Sequence, residues 1–162
     1  NGEEIYGVHF TLKVIKRLLS EIDLNIICIF VIPLIEDKKL YYRILKEIKA
    51  SNLGDKFKIV RRPLNFIGLL NDCNILIRPT LTDGSSLSIF ESLSIQKPVL
   101  ASDSSPRLKD VIKFKTNDIE DCLVKLKDVV FNYDFYKEKL QNLEDSTFQI
   151  HELYREVNSN EN

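Results

Sequence analysis

The spacing of apolar residues along this chain changes period repeatedly, and each change marks an element. Over residues 7–20, Val8, Leu12, Ile15, Leu18 and Leu19 recur at helical spacing, with Lys13, Lys16 and Arg17 opposite them. Residues 25–32 are apolar almost throughout and rich in β-branched side chains, which predicts a central parallel strand covered on both faces; Pro33 ends it. A helix follows over 37–51 with Leu40, Ile44, Leu45 and Ile48 inward, closed by Asn52-Leu53-Gly54 in the manner of a glycine cap. Residues 57–60 form a short strand running into Arg61-Arg62-Pro63, and 66–73 a short helix. Next comes the strand 75–77, stopped by Pro79. A polar turn then leads to a helix capped by Ser85 or Ser86, with Leu87, Phe90 and Leu93 as its inward face. Pro98 with Val99 and Leu100 opens another strand, and 111–114 a last one. Ile119, Leu123, Leu126 and Val130 give a helical stripe over 118–130. Residues 135–143 and 148–157 read as further amphipathic helices, before a polar, frayed end.

Helices alternating with short buried strands predict an α/β fold, a doubly wound and mostly parallel sheet with extra C-terminal helices. The pattern opens on a helix, whereas such a sheet begins with a strand at its middle. Either that strand lies upstream or the sheet is incomplete here, and the expectation is a fragment.

The chain has 162 residues, enough for one domain with a real core. Its 23 basic and 24 acidic residues leave a net charge of −1, which argues against a broad nucleic-acid footprint. No apolar run approaches the roughly 20 residues of a spanning helix. Cys28, Cys73 and Cys122 are isolated and lack metal-ligand spacing, as expected of reduced thiols in a cytosolic protein. His9 and His151 likewise have no partner at ligand spacing, so no metal site is predicted. Walker-type and G-x-G-x-x-G loops are both absent.

Candidate chemistry gathers where the strand 75–77 hands over to the following helix. In an open α/β sheet, ligands bind at such carboxyl ends, and free amides at a helix amino end attract anions. The turn Thr82-Asp83-Gly84-Ser85-Ser86 occupies that position, so a phosphate-bearing ligand is the natural expectation.

The stretch also resembles the donor-binding, C-terminal half of family 4 glycosyltransferases, retaining enzymes built from two Rossmann-like domains in the GT-B fold. Pro79-Thr80 stands for the Pro-Ser that ends a strand in that family. Asp83 and Glu91, with seven residues between them, stand for its paired acids, and Lys97-Pro98-Val99 for its next strand. The similarity runs more loosely from about Tyr6 to about Val130.

The resemblance implies a nucleotide-sugar-binding domain over 1–145, followed by a C-terminal helix and tail over 146–162. It implies that Glu91 accepts from the ribose hydroxyls and that Asp83 lies at the donor sugar. Backbone amides of Gly84, Ser85, Ser86 and Leu87 would hold the diphosphate, with Arg78 and Thr80 beside it, and the base would rest near Arg61 and Arg62. The donor would be a UDP- or GDP-type sugar, used without a metal or other cofactor. A glycan or lipid-linked acceptor would bind a missing N-terminal domain, in polysaccharide or glycoconjugate synthesis. The whole enzyme would be cytoplasmic, associating peripherally with the inner face of the membrane, and this half alone would be inactive.

The chain departs from the family pattern in three places. Ile5-Tyr6-Gly7 lacks the diphosphate-binding Lys, Ile32-Pro33 replaces a Gly-rich turn, and Asp83 replaces Glu. Two other readings stay open, a non-catalytic Rossmann-like scaffold and half of a GT-B-like nucleotide-sugar epimerase.

Overall fold

A computed structural model describes residues 6–35, 37–84 and 86–141. The expected helix over 148–157, the tail, and Ser85 lie outside the described residues. Among the described residues six α-helices and five strands follow in the order α1 (Val8–Glu21), β1 (Cys28–Val31), α2 (Lys38–Ala50), β2 (Phe57–Val60), α3 (Phe66–Asp72), β3 (Leu76–Arg78), α4 (Leu87–Ser94), β4 (Val99–Ser102), β5 (Ile112–Phe114), α5 (Ile119–Phe131) and α6 (Tyr133–Gln141). Every strand pairing among the described residues is parallel, so the chain has the α/β architecture that its alternating pattern predicts.

The strands form two sheets rather than one. β1 pairs with β2, and β3-β4-β5 form a second ladder. Helix α2 carries the crossover from β1 to β2 and α4 that from β3 to β4, whereas β4 reaches β5 through a loop without a helix. Alternation along β4 sorts the core into two layers. Leu100 joins Leu12, Leu18, Ile44, Phe114 and Leu126 beneath α1, α2 and α5. Val99 and Ala101 turn the other way, against Ile89 and Leu93 of α4 and Leu140 of α6. Burying each large aliphatic side chain contributes about 1.5–3 kcal/mol, so these two layers hold the ladder between helices.

Local signals place the elements. Asp37 caps α2 by accepting from the Leu40 amide at 2.9 Å, and Asp118 caps α5 by accepting from Asp121 at 3.0 Å. Two sequence expectations are corrected here. Asn52, with φ of 52°, takes the left-handed position after α2, while Gly54 only begins a short 3-10 turn (Gly54–Lys56). Asparagine tolerates that conformation because its short amide can satisfy the local backbone. Leu87 does not face inward but is 55% exposed, and Ile89, Ser92 and Leu93 form the buried side of α4. Leu87 is the first residue of the helix, and its side chain stays largely in solvent.

Candidate nucleotide-binding site

The carboxyl ends of β3 and β4 lie side by side, and the turns that follow them are sewn together. Pro79 and Thr80 end β3 in buried positions, Thr80 fully so. The Ser102 hydroxyl, at the end of β4, donates to the Thr80 carbonyl at 2.6 Å. Asp83 folds back over this seam. Its Oδ2 accepts from Arg78 Nε at 3.2 Å, from Thr80 Oγ1 at 3.3 Å and from Arg107 Nη1 at 3.3 Å.

Arg107 reaches the cluster from the turn after β4. Its side chain is 2% exposed, and its donors go to the Ser102 carbonyl at 2.9 Å, Thr80 Oγ1 at 3.2 Å and Ser104 Oγ at 3.4 Å, besides Asp83. Arg107 is thus a structural clamp holding the two turns together. Arg78 is more accessible, at 26%, and its guanidinium lies 5.3 Å from the centre of the Tyr6 ring. Gly7 closes the site from behind. It has φ of 67°, and a Cβ there would sit 2.3 Å from the Pro79 carbonyl oxygen, so only glycine lets the start of α1 press onto the end of β3.

Two guanidinium groups face one carboxylate here, leaving one positive charge in surplus at the amino end of α4. Burial is the largest single influence on Asp83 and pushes its pKa up. The hydrogen bond and charge of Arg78, joined by those of Arg107, outweigh it and hold the carboxyl below its ordinary range. Glu91, one turn into α4, behaves oppositely. It is half-buried, burial raises its pKa, and its carboxylate has no partner among the described residues.

The sequence-predicted residues therefore divide. Arg78, Thr80 and Asp83 are brought into direct contact. Gly84 follows them in the same turn, with nothing within 4 Å of a would-be Cβ and no positive φ, so no protein neighbour dictates glycine there. Ser86 stands at the amino end of α4, but its hydroxyl pairs with Ser88 at 2.9 Å instead of capping the helix as expected. Leu87 contributes its position there while its side chain is exposed. Arg61 and Arg62 follow β2 on the same carboxyl edge without contacting the cluster, and Arg61 stacks over Tyr41 at 5.4 Å.

Sequence reading missed Arg107, Ser102 and Ser104. Their one available signal was a lone basic residue after a serine-rich turn at the next strand's carboxyl end. The same turn holds the Ser105 hydroxyl, which is buried without a hydrogen-bond partner.

No protein-family model matches the sequence, and no curated protein matches it significantly. Solved structures do. A glycosyltransferase from Rickettsia africae superposes with a TM-score of 0.73 at 15% identity, covering 97% of this chain and 46% of that one. Anabaena HepE in complex with UDP gives 0.74 at 11% identity, covering 98% and 47%. The C-terminal domain of a group 1 glycosyl transferase from Francisella tularensis gives 0.72 at 11% identity, covering 91% and 80%. The chain spans about half the length of the first two. At such identities the likeness establishes architecture: the chain has the fold of a Rossmann-like half of a GT-B glycosyltransferase.

Proposed function

We propose that this domain binds the nucleoside diphosphate of a sugar donor at the carboxyl ends of β3 and β4, as the C-terminal half of a retaining, family 4-like glycosyltransferase. The observation that carries the reading is the surplus guanidinium charge of the Arg78–Asp83–Arg107 cluster at the amino end of α4. A diphosphate needs fixed positive charge and bare amides. Arg78 is the accessible cation, and the amides of Ser86 and Leu87 stand at the amino end of α4.

As the donor's glycosidic bond breaks, negative charge grows on the β-phosphate, and these groups stabilise it without rearrangement. Asp83, kept ionised by its two arginines, accepts from hydroxyls of the donor sugar. Glu91 has a carboxylate with unused acceptor capacity and takes the ribose hydroxyls. The base lies toward Arg61 and Arg62. UDP is favoured over GDP because the Anabaena structural neighbour was solved with UDP and with UDP-glucose.

The acceptor, a glycan or lipid-linked glycan, would bind a second domain closing over this edge at the cytoplasmic side of a membrane. No cation is assigned to the reaction, since Arg78 and the helix end supply the positive field. A non-catalytic reading draws on a different observation. Arg107 directs its donors to protein acceptors, leaving Arg78 as the one accessible cation of the cluster.

Calorimetric titration with UDP separates the two readings. The donor-site reading predicts saturable binding that weakens about ten- to a hundredfold in Arg78→Ala, the loss of a charge-assisted contact worth about 1.5–3 kcal/mol. A smaller loss is expected in Glu91→Ala. Absence of binding in the parent, or indifference to both changes, would leave the scaffold reading.

A further inference from the structure

Asp83 meets two guanidinium groups where one would tie the turn down. Both donate to the same oxygen, Oδ2: Arg78 through Nε at 3.2 Å and Arg107 through Nη1 at 3.3 Å. Distance does not separate them, but their surroundings do. The Arg107 side chain is 2% exposed, against 26% for Arg78. Three further acceptors, the Ser102 carbonyl and the Thr80 and Ser104 hydroxyls, anchor Arg107 in place. Arg78 gives Asp83 only its Nε, and its Nη groups have no hydrogen-bond partner among the described residues.

This asymmetry decides which cation an anion can use. With Arg78 alone, Asp83 would form a neutral pair, and an arriving diphosphate would meet repulsion as well as attraction. Arg107 is sealed beneath the seam, out of reach of any ligand, but its charge still counts. A buried guanidinium is costly unless a carboxylate faces it, so the Arg107–Asp83 pair is the one that the fold fixes.

We propose that Arg107 is a positioning residue for the diphosphate: as the standing counter-ion of Asp83, it leaves the charge of Arg78 to the ligand. The inference rests on the nucleotide reading of this site and gives a residue that touches no ligand a part in anion affinity. The Nη groups of Arg78 turn their four N–H donors to phosphate oxygens while Asp83 stays neutralised from behind. Asp83 Oδ1, which accepts from no described residue, is left for the sugar. A clamp with no electrostatic part would act through geometry alone, whether or not Asp83 carried a charge.

Calorimetric titration with UDP, which has the diphosphate but no sugar, distinguishes the two. Arg107→Gln should bind UDP about tenfold more weakly, and Asp83→Asn about threefold or more tightly. In the double variant the loss due to Arg107→Gln should shrink below about twofold, because no carboxylate remains to neutralise Arg78. Arg107→Lys keeps the charge but not the fork, so it should hold UDP affinity within about threefold while its thermal midpoint falls. Without ligand, the Asp83 carboxyl carbon should titrate about one pH unit higher in Arg107→Gln, followed by carbon-13 NMR.

A loss that Asp83→Asn leaves undiminished, or an unmoved Asp83 titration, would overturn the proposal and leave a clamp. If Arg107→Gln fails to fold, the other variants decide: weaker UDP binding in Asp83→Asn, or a tenfold loss in Arg107→Lys, would overturn it. A parent protein that ignores UDP defeats the nucleotide reading and this proposal together. A parent that binds, without relief in the double variant, defeats this proposal alone.

Discussion

Asp83 has a double part in the account, tying β3 to β4 and facing the proposed donor sugar. Because its folded pKa is depressed, the ion pair stabilises the fold above the unfolded value of about 3.9 and loses that contribution as pH falls through the folded pKa. Asp83→Asn should cost about 1–3 kcal/mol near neutral pH. That deficit should shrink as pH falls below the ordinary carboxyl range and through the depressed folded pKa, measured by urea denaturation of both proteins across pH. A deficit that persists unchanged in acid would mean that packing, not charge, holds the turn. Legibility at this scale depended on sequence separation. Arg78, Thr80 and Asp83 lie within six positions and could be read together. Arg107 stands 24 positions beyond Asp83, and only the parallel pairing of β3 with β4 brings it near.

At the scale of elements, the strong apolar stripes of α1, α2 and α5 made those helices readable, since one buried face leaves a periodic trace. Ends were harder to read. The spacing of Leu87 predicts a core position, but this first-turn residue is 55% exposed. Gly54 drew attention as a helix stop although Asn52 takes the left-handed position. Gly7 carried the opposite lesson: its importance comes from Pro79, 72 positions away, and not from the local sequence. Gly7→Ala combines a positive φ with a clash against the Pro79 carbonyl, a type of strain that costs about 1–3 kcal/mol. A corresponding fall in thermal midpoint is expected, together with a displaced Arg78. An unshifted midpoint would show that α1 can start without this contact.

At the scale of the molecule, parallel strands with helices on both faces put every carboxyl end on one edge, and the polar chemistry collects there. No helix among the described residues is long and apolar enough to cross a membrane. The central claim is that the turn after β3 is a diphosphate seat, and residue-resolved NMR during a UDP titration tests it most directly. Saturable shifts concentrated at the amides of residues 78–88, with those of α5 unmoved, are the predicted result. Shifts that fall elsewhere, or no response at the turn up to millimolar UDP, would contradict it.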